Sequence, residues 1–318
     1  MKKSMRTFFV TLAALCVCCC TVSFLTACND DDDAPKVNCK IGTLRVDINI
    51  KEVYKQMDYL KDAQALLDSQ RVIGAAVLIY DEGNKLVRAD LAITSKLDTV
   101  SLDLPDLKAG TYTVLAVQQM SGEDKIGLWR FKDYEDLTTF RVMSDRFPLP
   151  GYAILAIDRQ KVTLDGDATI TLTPQSMGSL VLFAYMGLPE DKACEEVFLS
   201  TTNRARGLWM DPARQGDDQL WRDEDAAEGL PYYLAQIKGE QEGQRPPKMG
   251  WQEVFTLDRG TQRTGMGFSD DDYIEETIVD FEFQPGNHYY FLYDFDRPEG
   301  QRWGFYVAIQ IIGRYFLL

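Results

Sequence analysis

From Leu44 onward, apolar residues recur at alternate positions in short runs that end in Gly, Pro, Asn or Asp. A period of two puts successive side chains on opposite faces, so such a chain folds into half-buried strands whose apolar faces a second sheet must cover. Arg71 to Tyr80, then Asp81-Glu82-Gly83-Asn84, then Lys85 to Arg88 reads as a hairpin. Lys161 to Leu164, Asp165-Gly166 and Asp167 to Leu172 reads as a second hairpin, with Asp-Gly supplying the positive φ of a tight turn. Helical spacing is confined to Lys51 to Ser69, where Val53, Met57, Leu60 and Leu67 fall on one face of a short helix beside the sheet.

At 318 residues the chain favours two domains over one. An internal echo points the same way. Leu102-Asp103-Leu104 leads through Pro105 and Gly110 to Tyr112 and the strand Thr113 to Gln118; Phe281-Glu282-Phe283 leads through Pro285 and Gly286 to Tyr289 and the strand Tyr290 to Tyr293. A tyrosine just past a glycine corner packs its ring on the end of a sandwich while its hydroxyl bonds nearby backbone, as in immunoglobulin-like domains. Coincidence between two common turns is the competing explanation. The expected architecture is mostly β: a sandwich over residues 41–173 and a second over 174–318, meeting at Thr173-Pro174-Gln175, with one short helical excursion. Gly207 to Gly229 and Gly239 to Gly250, rich in charged residues, Gly and Pro, are expected as long loops or small surface excursions on the second.

The first residues do not belong to that pattern. Lys2, Lys3 and Arg6 precede an apolar run from Phe8 to Leu25, the layout of a secretory signal. The run closes on Leu25-Thr26-Ala27-Cys28, which resembles the lipobox of bacterial lipoproteins. That resemblance implies cleavage after residue 27 and acylation of Cys28. An uncleaved membrane anchor is the alternative, since the run is about as long as a bilayer core requires. Removing residues 1–27, with three positive charges and no negative ones, moves the formal net charge from −15 to −18. Asn29 and the run Asp30 to Asp33 cannot bury themselves, so residues 28–40 read as a solvated tether. Acidic residues after such a cysteine also resemble a surface-export signal of some Gram-negative anaerobes.

Charge and composition narrow the chemistry. Asp and Glu outnumber Lys and Arg by 49 to 34, and no basic run follows the signal, so a nucleic-acid partner is not expected. His288 is the single histidine, which leaves triads and multi-histidine zinc sites nothing to build on; no enzyme activity and no cofactor is expected. Asp270, Asp271, Asp272, Glu275 and Glu276 crowd together but match no EF-hand spacing, and a solvated acidic loop is the favoured reading. Of seven cysteines, only Cys39 and Cys194 fall in the folded part; two separate thiols are favoured over a bridge. Trp209, Trp221 and Trp251 sit in the loop-rich stretch near Arg206, Asp211, Arg222 and Asp223, a setting that suits stacking on sugars as well as anchoring loops to a core.

The segment Gly304 to Ile312 alternates again, and Tyr315-Phe316-Leu317-Leu318 is apolar throughout. Such a segment either closes the chain's own sheet or adds to the open edge of a neighbour's. The candidate donor residues are Tyr306, Val307, Ile309, Ile311, Tyr315 and Leu317.

Taken in order, five features resemble the fimbrillin superfamily: the lipobox and acidic tether, the opening strand Gly42-Thr43-Leu44-Arg45-Val46, the hairpin Val77 to Asn84, the corner Leu107 to Tyr112, and the apolar C-terminal segment. Within it, FimB-type anchor and minor subunits of type V pili are the most similar. The resemblance implies two transthyretin-like sandwiches, an outer-membrane, surface-exposed lipoprotein, and fimbrial or pilin subunits as partners by β-strand addition. It also implies that stalk subunits lose their first strand to an arginine-directed protease while anchor subunits keep it; no arginine lies between Cys28 and Arg45, which itself falls inside the presumed first strand, and this favours an uncleaved anchor over a stalk subunit. The competing expectation is a surface glycan-binding lipoprotein that uses the tryptophans.

Overall fold

The computed structural model describes residues 40–121, 127–146, 148–190, 194–202, 205–222, 232–240, 244–269, 274–298 and 301–307. Cys28, Cys39, the tether and Asp270–Asp272 lie outside them. The chain begins β1 (Ile41–Asn49), α1 (Lys51–Gln56), α2 (Leu60–Asp68), β2 (Ile73–Tyr80), β3 (Leu86–Thr94), β4 (Thr99–Lys108), β5 (Gly110–Met120), β6 (Arg130–Lys132), β7 (Arg141–Met143), β8 (Leu149–Pro150), β9 (Leu155–Leu164), β10 (Ala168–Leu172) and β11 (Gln175–Ser176). It continues β12 (Ser179–Met186), β13 (Glu196–Thr201), β14 (Ala205–Trp209), β15 (Leu220–Arg222), β16 (Tyr232–Lys238), β17 (Gly250–Thr256), β18 (Gly260–Ser269), β19 (Ile274–Phe283), β20 (His288–Asp294) and β21 (Trp303–Val307). The expected mostly-β sandwich architecture with a small helical excursion is what forms.

The same sandwich is built twice. A sheet ordered β10-β1-β4 faces one ordered β11-β9-β5-β2-β3; later, β20-β12-β17 sits within a sheet bounded by β21 and β8 and faces β19-β18-β13-β16. Strand for strand, β10-β1-β4 matches β20-β12-β17, and β9-β5-β2-β3 matches β19-β18-β13-β16. In each, the opening strand has one parallel and one antiparallel neighbour: β1 between β10 and β4, β12 between β20 and β17. The inward residues Leu44, Val46 and Ile48 of β1 and Val181, Phe183 and Tyr185 of β12 are all buried.

Insertions tie the two together. β6 and β7, placed between β5 and β9, pair with β14 and β15, placed between β13 and β16, in a sheet ordered β15-β14-β7-β6. Their buried residues Phe140, Val142, Leu208 and Leu220 join a core that contains Leu78 and Leu115 of the first sandwich and Leu180 and Phe255 of the second. A separate cluster including Val181, Phe183, Phe268, Phe281 and Phe291 fills the second sandwich.

Four expectations are corrected. The single helix over 51–69 is two, because Asp58 adopts a left-handed conformation (φ 51°) and the Tyr59 amide donates back to the Tyr54 carbonyl, a Schellman-type stop. The second hairpin does not form: β9 pairs with β5, while β10 pairs in parallel with β1 in the opposite sheet, so Asp165-Gly166 (Gly166 φ 131°) is a crossover between layers. The echo joins the wrong counterparts, since by topology β19–β20 answers to β9–β10 and β4–β5 answers to β17–β18. The corner chemistry itself holds, with Tyr112 Oη donating to the Lys108 carbonyl at 2.8 Å and Tyr289 Oη accepting from the Gln284 amide at 2.8 Å. Finally, the described part of Gly207 to Gly229 is a small excursion of most of β14, a 3₁₀ turn at Gly216–Gln219 and β15, as expected, but not a surface one, because Leu208 and Leu220 are buried in the core.

Candidate functional site

Two terminal strands dominate the candidate surface. β1 follows the tether, and its residues alternate between core and solvent, the pattern of a strand with one buried face. Its start is clasped by the β9–β10 crossover. Lys40 Nζ lies 3.0 Å from Asp165, the Thr43 amide donates to Asp167 Oδ1 at 2.7 Å, and a Cβ on Gly42 would fall 2.1 Å from the Gly166 carbonyl oxygen. Glycine at 42 is therefore required by close backbone approach.

At the other end, β21 is the edge of its sheet and pairs antiparallel with β20, Trp303 opposite Tyr293 and Val307 opposite Tyr289. Tyr306 and Val307, the first two candidate donor residues, are thus paired to the chain's own sheet through their backbone. Ile309, Ile311, Tyr315 and Leu317 lie outside the described residues.

The three tryptophans are dispersed over strands. Trp209, on β14, is half-buried and flanked by two guanidinium groups, Arg214 at 4.3 Å and Arg141 at 5.1 Å from its ring centroid. Those cations occupy the indole faces a sugar would need. Trp221, on β15, is half-buried opposite Gly207. Trp251, on β17, is different: it is 70% exposed, on the outward face of its sheet, beside Met249 at 58%. Its cross-strand row continues through Ala184 to Leu292 and Gly304.

The junction between sandwiches carries the perturbed titratable groups. Tyr59, between α1 and α2, lies beside the carboxyl group of Glu253 on β17; burial raises the pKa of both, and the Glu253 charge raises Tyr59 further. His288 is buried, stacked on Tyr290 at 4.5 Å, and pushed down to about 4 by burial, with the Asp58 charge opposing. Its Nε2 has no hydrogen-bond partner, which suits a neutral imidazole. The place of His288 at the junction is not legible in its own neighbourhood; the apolar run of β12 is the available signal that part of this sheet is covered on both faces.

Cys194 is a buried thiol 3.4 Å from the Glu196 carbonyl oxygen. Among the described residues no group of three or more His, Cys, Asp or Glu side chains is placed to hold a metal ion, and no helix is long and apolar enough to cross a membrane. An open groove of about 660 Å³ between α2 and the β3–β4 turn is lined by Leu60, Lys61, Gln64, Lys96 and Leu97, but every charged residue along it is exposed.

No protein-family model matches the chain, and no curated protein matches it in sequence. Solved structures do align. A Bacteroides ovatus protein provisionally named an adhesin is 13% identical over 85% of this chain and 93% of its own, with a TM-score of 0.49. The fimbrial anchor protein Mfa2 from Porphyromonas gingivalis is 13% identical over 84% and 95%, with a TM-score of 0.45. A Bacteroides thetaiotaomicron protein provisionally named for polysaccharide binding is 12% identical over 85% and 96%, with a TM-score of 0.49. At such identities no residue here inherits a role from them.

Proposed function

We propose that this chain is a non-enzymatic, lipid-anchored protein of the outer membrane, exposed at the cell surface, that serves as an anchor or minor subunit of a fimbria. Cys28 is acylated after cleavage of residues 1–27, residues 28–40 form the tether, and the sandwiches over 41–173 and 174–318 carry the load. The observation that carries this reading is the position of β1. It fills its own sandwich, paired with β10 on one edge and β4 on the other, so the first-strand position is already occupied by the chain itself. A subunit that keeps its first strand ends a strand-exchange polymer rather than extending it at that end. Contact with the next fimbrial subunit then falls to the segment Tyr306 to Leu318, which continues from an edge strand.

Deleting Tyr306–Leu318 is expected to leave a folded, acylated protein that no longer joins fibres. Unchanged fibre assembly, read by co-purification of subunits and electron microscopy, refutes strand donation. A glycan-binding role is favoured by one observation alone, the 70% exposure of Trp251. Glycan-array binding that is lost in Trp251→Ala and kept in Trp209→Ala would replace the fimbrial reading.

A further inference from the structure

The geometry points to a mechanical role for β1: it is a load-bearing strand, held in shear and locked at its start by the Asp165–Asp167 turn. The inference rests on the reading above for both ends of the load path: force enters through the tether at Cys28 and leaves through the second sandwich.

Force enters at the start of β1 and must leave through the second sandwich. That sandwich attaches where β1 finishes. Asn49 Nδ2 donates to Thr173 Oγ1 at 2.9 Å at the head of the connection to β12, and Leu180 and Phe255 of the second sandwich are buried in the first core. β1 is therefore pulled along its own axis, its start drawn toward the membrane and its end held by the body of the protein.

Loaded in that direction, its ladders cannot open one pair at a time. β1 is registered with β10 at five positions and with β4 at eight, and both sets must slip together. A ladder pulled across its strands opens from one end, each bond in turn bearing the whole force. Slippage by one residue would also turn Leu44, Val46 and Ile48, all fully buried, toward solvent.

The turn adds a lock at the point where force arrives. The Thr43 amide on the Asp167 carboxylate is a charge-assisted bond across the two strands. The Gly42 backbone lies against Gly166, leaving no space for sliding side chains. The outward face of the same sheet is cross-braced, with Arg45 donating to Asp47 Oδ1 at 3.1 Å and to Ser101 Oγ at 2.9 Å.

The test stretches the mature chain in an optical trap, with Cys28→Ser, Cys39→Ser and Cys194→Ser so that handles attach only where intended. One pair of handles joins an N-terminal tag to Trp251→Cys and loads β1 lengthwise. The other joins Lys108→Cys to Thr169→Cys and opens the sheet crosswise from its tether end. Lengthwise rupture of the first sandwich is expected to need about threefold more force than crosswise rupture, or more. Asp167→Ala is expected to lower the lengthwise force. Equal forces in the two directions, or a lower lengthwise force, overturn the proposal. Should the paired handles prevent folding, the N-terminal pull alone decides, and a lengthwise force unaltered by Asp167→Ala overturns it. Mass spectrometry of Cys28 tests anchoring separately: an unmodified cysteine with a strong β1 sinks the anchor reading only, and an acylated one with a weak β1 sinks this inference only.

Discussion

The sheets β10-β1-β4 and β20-β12-β17 have the same strand order, the same directions and equally buried inner faces, yet their outer faces are opposites. Outside β1 and its neighbours stand Arg45, Asp47, Ser101, Asp103, Thr169 and Thr171, exposed or half-buried, with Arg45, Asp47 and Ser101 hydrogen-bonded to one another. Outside β12 and its neighbours stand Leu180, Leu182, Ala184, Phe255, Tyr290, Leu292 and Trp251, with Glu253 and His288 as the polar exceptions. Exposure on the second face grades from Leu180 and Phe255, buried under the first sandwich, to Trp251 in solvent. One topology thus serves two purposes. The inner face, buried in both, sets the fold; the outer face decides whether the sheet meets water or another body.

Substitutions on the shared inner face test the likeness and carry the largest effect. Phe183→Ala on β12 is expected to cost about 3–5 kcal/mol and Ile48→Ala on β1 about 2–5 kcal/mol in urea unfolding, since each leaves a cavity in a fully buried site. A cost below about 1 kcal/mol for either would mean the two inner faces are not equivalent.

Acid should separate the two sandwiches, because only the second has a histidine. His288 has a folded pKa of about 4, below its unfolded value, so the unfolded chain takes up the proton first as pH falls. The stability it contributes is present above about 6.5 and is lost down to about 4, at most about 3 kcal/mol. Glu253 works the other way, because burial raises its pKa and acidification relieves the cost of its charge. The His288 share is therefore the difference between wild type and His288→Gln at pH 7 and pH 4.5, and identical pH profiles for the two would remove the histidine from the junction's energetics.

Smaller effects sharpen the comparison. Tyr112→Phe and Tyr289→Phe each delete a hydroxyl bonded to corner backbone and are expected to cost about 1 kcal/mol, with similar values in the two sandwiches. At the bottom of the scale is the exposed outer face, where Arg45→Ala is expected to change equilibrium stability by less than about 0.5 kcal/mol. A loss of 2 kcal/mol or more would show that the polar face is as structural as the apolar one.

Much of this was legible in the chain. The alternation Leu44, Val46, Ile48 against Arg45, Asp47, Asn49 announces a strand with one wet face, and Ser179 to Met186, apolar nearly throughout, announces a strand covered on both. The β2–β3 hairpin was readable because its turn and both arms are local. The exposure of Trp251 and the two guanidinium groups over Trp209 were not, since Arg141 comes from a distant insertion that meets β14 only in the folded chain.

Side-chain periodicity determined which residues form strands and which face of each is buried, because that choice is made within a few residues by alternating contact with water. The neighbours of each strand were left to tertiary structure. Backbone donors and acceptors are alike in every strand, so Asp165-Gly166 serves a hairpin and a crossover equally well, and β10 joins β1 because that is where its buried face completes a sheet.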